Sequence, residues 1–416
     1  MNNFQKHNIL NYIPEKLTTE NEINPLRIYK IKEAKNKTGN IIYIISREFR
    51  YYDNFALEYA KEISSKKQKK LKIIFKIPDF SVENKHAFFH KEFEKIKKEF
   101  SDNNIDSEII KNEKEINAYL KKEKPFLVIK DFNPIENNYL ETDNFSILEI
   151  DGHNIIPTRY ISNKQEYNAA TFRKKVYLNI AEFLTDFPNK YNEKIITEFI
   201  ENKLPYYEKF KNNPNQKVTS NFSKFLNWGF ISSQRIAIEV FKSNAEIQNK
   251  EAFLEELIVR KELADNFCFY CKSYKDLKSI PNWAKESLEQ HKKDIRTNLY
   301  SIDELENGKT HDELWNAAQK QLLKQGKIEG YLRMYWAKMI LQWTTSPQEA
   351  VDIAIYLNDK YAFDAPSSNG YVGILWSIGA LHDRAFKERP ILGKIRPMTY
   401  NGAKSKFNIQ EYIDSV

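Results

Sequence analysis

Four of the six tryptophans, Trp315, Trp336, Trp343 and Trp376, fall between Thr310 and Ser377. Trp336 and Trp343 are seven residues apart, so a single helix would place them on one face, two turns apart. Trp315 precedes Trp336 by 21 residues, far enough to arrive from the helix before. Rings spaced in this way suit either an aromatic core or a run of indoles leading electrons to a redox cofactor. Spacing alone is compatible with both.

Other residues could also do chemistry. Thr219, Ser220, Asn221 and Ser223, with Phe222 among them, form a polar loop just before a helical pattern. Hydroxyl, amide and free backbone N–H groups there suit a phosphate, and equally an ordinary helix cap. Glu256 and Arg260 are four apart in an otherwise apolar helical run, so they share a face. Arg333 and Asp364 would pair only if the fold brought them together. His153, in D-G-H-N, reads as a turn or ligand-edge residue. Cys268 and Cys271 form a C-x-x-C with no second pair or histidine cluster, and they follow a helical pattern rather than a strand. Neither a zinc site nor a thioredoxin-like site is expected, and no other metal site.

The elements that must position these groups come in two textures. Asn40–Ile45, Leu71–Phe75, Ser107–Ile110, Phe126–Ile129 and Ser146–Ile150 are short apolar runs that read as strands. Helical patterns over Tyr52–Ile63 and Ala87–Phe100 alternate with them, which predicts a parallel α/β sheet. No G-x-G-x-x-G follows the first strand, so a dinucleotide fingerprint is absent. Strand-like runs fade after Lys164 and helical periodicity takes over. The expected division is a polar, loosely packed lead-in (1–38), an α/β domain (39–163), a linker with a helix from Glu193 to about Lys211 (164–216), and an all-helical domain (217–416).

At 416 residues the chain is long enough for two or three domains, and 41% hydrophobic residues can fill their cores. A formal charge of +8 is compatible with a polyanionic partner. No 18-residue apolar run and no signal-type leader are seen, so no membrane association is expected. Two cysteines suit a reducing compartment. The expectation is an intracellular monomer, cytoplasmic in a prokaryote and nuclear in a eukaryotic or viral-host setting.

A set of ordered blocks then carries a resemblance. S-N-F-S-K-F-L-N-W-G-F-I-S-S-Q-R, F-L-E-E-L-I-V-R-K-E-L-A-D-N-F-C, T-H-D-E-L-W-N-A-A-Q, Y-L-R-M-Y-W-A-K-M-I-L-Q-W, I-Y-L-N-D-K-Y and N-G-Y-V-G-I-L-W-S-I resemble, in order, the FAD-binding domain of class II cyclobutane pyrimidine dimer photolyases. Y-I-I-S-R-E-F-R-Y-Y-D-N-F-A-L and D-G-H-N-I-I-P resemble that family's Rossmann-like antenna domain. The chain departs from the family at D-A-P-S-S-N (Asp364 to Asn369), where D-G-R-D-P-N is usual. Asn227, Phe386 and Pro397 replace a usual His, Trp and Tyr.

The resemblance implies light-driven repair of cyclobutane pyrimidine dimers in DNA by electron transfer from reduced FAD to a flipped-out dimer. The alternative is a cryptochrome-like photoreceptor with the same fold and flavin. Tyr207 and Thr219 to Ser223 would hold the ribityl and diphosphate part. Arg260 would line the same pocket, Asn358 would sit near the flavin N5, and Arg333, Asp364 and Asn369 would lie beside the isoalloxazine. Glu256 would hydrogen-bond the dimer's carbonyls, as a proton donor if burial raises its pKa. Tyr331, Met334 and Trp376 would line the dimer pocket, and Lys394 and Arg396 would meet phosphates. Trp336, Trp315 and Trp343 would be the electron path, in that order from the flavin outwards. An antenna chromophore, a deazaflavin or a folate, would occupy the first domain.

Overall fold

The computed structural model describes residues 8–19, 22–34, 38–136, 139–141, 145–188 and 193–416. One six-stranded sheet is built from β1 (Ile28–Lys32), β2 (Ile41–Ile45), β3 (Leu71–Phe75), β4 (Asp106–Ile109), β5 (Leu127–Asp131) and β6 (Ser146–Ile150), in the order β1-β6-β5-β2-β3-β4. All neighbours are parallel except β1 and β6. β2, I-I-Y-I-I, is buried at every position, as expected for a central parallel strand covered on both faces. Helices α1 (Phe55–Lys67), α2 (Glu83–Asp102) and α3 (Glu113–Glu123) supply the crossovers. Phe89, Phe93, Ile96 and Phe100 of α2 pack on one face of the sheet, and Ile116 and Leu120 of α3 on the other.

The lead-in expected over 1–38 is corrected where the chain is described. β1 joins the sheet, with Ile28 opposite Ile150. Its sequence, I-Y-K-I-K, hides this because an edge strand keeps polar residues toward water. Arg27, just before it, is 2% exposed and donates to the carbonyls of Asn154 and Ile155 at 2.9 Å and to Gln234 Oε1 at 3.0 Å. The single helix expected from Glu193 to Lys211 is also corrected. It runs Lys194–Asn202, then a 3₁₀ turn over Leu204–Tyr206, then Tyr207–Phe210. Pro205 breaks it, having no N–H for the ladder.

After Ile150 the described chain is helix and loop, apart from single bridges at Asp186 and at Arg389–Gly393. The largest core cluster here gathers around Trp315, Trp336 and Trp343. Buried ion pairs tie this part to the sheet: Arg47 to Asp265 at 3.0 Å and Arg235 to Asp53 at 2.8 Å. The turn carrying Arg47 follows β2. Asp131, at the end of β5, accepts from the backbone N–H groups of Ser46, Arg47 and Glu48 at 2.9–3.0 Å, and from the Tyr43 hydroxyl at 2.5 Å. This is the point where strand order reverses, the usual place for a functional loop in such a sheet.

Candidate functional site

The helix Gly330–Trp343 separates two cavities. Gly330 and Arg333 line the first, while Tyr331 and Met334 line the second. A shift of one residue turns a side chain by about 100° on a helix, so adjacent residues serve different cavities.

The first cavity, about 310 Å³, brings together Tyr207, Thr219, Ser220, Asn221, Phe222 and Ser223. Asn221 takes the left-handed conformation (φ 62), which asparagine tolerates better than most residues. Lys327 Nζ donates to Thr219 Oγ1 at 3.0 Å, to Glu329 Oε1 at 2.7 Å and to Asn221 Oδ1. Glu329 makes no side-chain cap on the helix that follows it, and a Cβ on Gly330 would meet nothing within 4 Å. An uncapped N-terminus of a 14-residue helix thus opens onto the cavity beside a lysine and a hydroxyl-rich loop. That donor set suits an anion such as a diphosphate.

Arg333, Asp364 and Asn369 stand on the same cavity. Arg333 Nη2 lies 3.3 Å from Asp364 Oδ1. Burial pushes the Asp364 carboxyl up, but the Arg333 charge and Ser223 overcome it and hold the pKa below the usual value. The rewritten loop is anchored within the domain: Asn227 donates to the Pro366 carbonyl at 3.2 Å, and Trp228 Nε1 to that of Phe363 at 2.8 Å. Ser367 caps the next helix by accepting from the Gly370 N–H at 3.1 Å.

The second cavity, about 690 Å³, is walled by Tyr331, Met334, Trp376 and Phe386, with Arg396 at its side. Arg396 donates twice to Asp383, both at 2.8 Å, and its guanidinium lies 4.3 Å from the Phe386 ring centroid and 5.5 Å from that of Trp376. Two basic groups therefore face Trp376, because Lys338 Nζ lies 5.2 Å from the same ring.

From Trp336 a file of rings runs through the core. Trp315 lies parallel to Trp336 with centroids 6.3 Å apart, and Trp343 meets Trp315 edge-on at 5.5 Å. Trp336 Nε1 donates to Gln319 Oε1 at 2.8 Å.

No family model matches the chain. Among curated proteins it is similar to a deoxyribodipyrimidine photo-lyase of Potorous tridactylus (36% identical, covering 91% of this chain and 81% of the relative). It is also similar to one of Arabidopsis thaliana (33%, covering 95% and 93%) and one of Methanothermobacter thermautotrophicus (31%, covering 92% and 96%). The chain belongs to the deoxyribodipyrimidine photo-lyase family. Its fold also matches a bacterial class III photolyase from Agrobacterium tumefaciens, with a TM-score of 0.68 at 14% identity over 92% of this chain and 87% of that one.

Against this photo-lyase fold, several expected site residues fall elsewhere. Arg260 does not line the first cavity: it is exposed and pairs with Glu255 at 3.1 Å. The cause is a π-helical turn over Glu255–Arg260. In a π turn the residue that stacks on position i is i+5, so Lys261, not Arg260, shares the cavity wall with Glu256. Glu256 lines the first cavity with a side chain 49% exposed, 3.5 Å from Lys211 Nζ. Asn358 lies behind the wall rather than on it. It is buried, donates to Asp359 Oδ1 at 3.1 Å and backs onto Gly370. Lys394 is exposed and outside the lining of the second cavity.

Sequence reasoning missed Arg47, Lys261, Asp265 and Lys327 on the first cavity, and it left His153 at a ligand edge without a partner. His153 is buried there, its Nδ1 3.1 Å from Glu48 Oε1. Lys327 carried a readable signal, a lysine three residues before a helix that opens on glycine; the others depend on packing between the two domains. Burial raises the pKa of both Cys268 and Cys271, the opposite of what a reactive thiolate needs.

Proposed function

We propose that this chain is a light-driven DNA-repair lyase of the class II type, acting on cyclobutane pyrimidine dimers with FAD as its cofactor. The observation that carries the reading is the helix Gly330–Trp343. In its first turn Gly330 and Arg333 face a cavity with diphosphate-type donors, Tyr331 and Met334 face an aromatic cavity, and its later Trp336 joins the ring file.

The residues present fit FAD. The polar loop Thr219–Ser223, Lys327 and the helix N-terminus suit the diphosphate. Tyr207, Phe253, Leu257 and Ile328 give apolar walls, and Arg333 with Asp364 gives fixed polar groups for a heterocycle. When bound and reduced, FAD supplies a photoexcited electron donor and takes the electron back after the cyclobutane ring opens, so the reaction is a lyase reaction without net redox change.

The protein's own part is binding, orientation and exclusion of water. Tyr331, Met334 and Trp376 offer flat and polarisable surfaces on which a flipped-out pyrimidine pair can stack. Glu256 on the first cavity, with Lys211 Nζ 3.5 Å away, would meet the dimer's carbonyl edge. Trp336, Trp315 and Trp343 would carry electrons along the ring file, in that order. The partner is DNA holding a dimer, approached through phosphate contacts.

The test is an oligonucleotide with a single thymine dimer, incubated with reduced, FAD-loaded protein under blue light. Loss of the dimer in the light and not in the dark is the expected result. Retention of the dimer by protein that has bound and reduced FAD would favour the photoreceptor reading.

A further inference from the structure

Arg47 comes from the α/β domain, yet its side chain lines the first cavity of the helical domain. Its position is fixed three ways. The backbone N–H donates to Asp131 Oδ2 at 2.9 Å, Nη2 donates to Asp265 Oδ1 at 3.0 Å, and the side chain is 8% exposed. The remaining terminal nitrogen, Nη1, is buried and has no hydrogen-bond partner among the described residues. A buried guanidinium N–H without an acceptor is unfavourable, so a group held this rigidly with one donor left over points to an acceptor from outside the chain.

The neighbouring donors on that wall are already committed. Lys261 Nζ donates to the His153 carbonyl at 2.8 Å and to Asn154 Oδ1 at 3.0 Å. His153 Nδ1 faces Glu48. Burial works against the Asp265 carboxylate, but Arg47 and Lys261 outweigh it and hold its pKa below the usual range, so the Arg47–Asp265 pair stays ionised. Such a pair is close to neutral overall. What Arg47 offers a ligand is therefore a directed N–H rather than net charge.

We propose that Arg47 binds the cofactor through Nη1, donating to a carbonyl or ring-nitrogen acceptor of the isoalloxazine, so that the α/β domain, which also places His153 on this cavity, contributes a direct contact to a site built mainly by the helical domain. This rests on the FAD reading above. The diphosphate already has the Thr219–Ser223 loop, Lys327 and the helix N-terminus. The charges acting most strongly on Arg47 are Asp265, Glu48 and Asp151, not groups of that loop.

The experiment titrates cofactor-free protein with FAD, riboflavin 5′-phosphate and ADP, following flavin fluorescence and heat. Arg47→Met should weaken FAD and riboflavin 5′-phosphate by about tenfold or more, the scale of one buried charge-assisted hydrogen bond, and leave ADP unchanged. Arg47→Lys should recover part of the loss. Because Arg47→Met strands Asp265, the double variant Arg47→Met/Asp265→Asn is measured beside it. Weak flavin binding by a double variant with wild-type thermal stability supports the proposal. Wild-type flavin affinity in either variant, or a loss confined to ADP, overturns it. Failure of the wild type to bind FAD at all would overturn the cofactor reading itself, and this inference with it.

Discussion

The indoles of Trp315 and Trp336 lie within 3° of parallel, and Trp315 Nε1 donates to the Trp336 carbonyl at 3.0 Å. Trp315 also touches Trp343, so it is the middle ring of the file. Trp315→Phe should slow light-driven reduction of bound FAD while leaving dimer repair by chemically pre-reduced protein unchanged. The smaller ring and lost hydrogen bond should cost about 1–3 kcal/mol of stability. Photoreduction followed by absorbance, alongside repair assayed in the dark-reduced enzyme, separates the two effects. Equal loss of both would make the file a packing feature only.

Arg333 and Asp364 are a partly buried pair, with side chains 25% and 11% exposed. Asp364→Asn removes the charge that compensates the guanidinium. The expected cost is roughly 1–3 kcal/mol, below that of a fully buried pair because water reaches Arg333. The sign with pH follows from the lowered Asp364 pKa. The wild type should hold this contribution above the ordinary aspartate range and lose it as pH falls through the folded value, whereas the variant should show no such component. Urea unfolding at pH 7 and pH 3 checks both.

Lys338 is fully buried, with Nζ donating to the Ser377 carbonyl at 2.6 Å beneath Trp376. Burial lowers its pKa from 10.5 to about 7, helped by Arg396 and opposed by Asp383. The unfolded chain therefore binds more protons than the folded one between pH 7 and 10.5, and wild-type stability should rise with pH across that window. The slope limit is about 1.4 kcal/mol per pH unit. Lys338→Met should remove this component, so its stability relative to wild type should be highest below pH 7 and fall steadily toward pH 10. A pH-independent difference in denaturation midpoint would show that Lys338 is not titrating in this range.

Much of this was legible because it depends on local pattern. Strands β3 and β6 have the ends that the apolar runs indicated, and the polar loop, the tryptophan helix and Asp364 meet at or beside one helix. What was not legible depends on geometry that no spacing rule carries. A π turn has the same apolar sequence as an α turn, so Arg260 and Lys261 exchanged places. β1 is an edge strand whose lysines face water, and Arg27 looks like any surface arginine until the carbonyls of Asn154 and Ile155 surround it. Arg47 and Asp265 are 218 residues apart and meet only when both domains have formed.

Arg396 and Lys394 should differ in how they act on DNA. Arg396 is held by two hydrogen bonds to Asp383 and stacks near Phe386 and Trp376, so much of its charge is neutralised and its orientation is fixed. Lys394 is exposed, and no carboxylate is paired with it among the described residues. A free lysine at a phosphate releases about one counterion, whereas a stacked, paired arginine shapes the pocket. Lys394→Ala should lower affinity for damaged and undamaged duplex alike and reduce the slope of log K against log salt by about 1. Arg396→Ala should mainly erode the preference for dimer-containing DNA, with little change in slope, because it loosens Trp376 and Phe386. Fluorescence anisotropy with matched damaged and undamaged duplexes over a salt series reads both quantities at once. A reduced slope for Arg396→Ala with intact discrimination would reassign it as a phosphate contact.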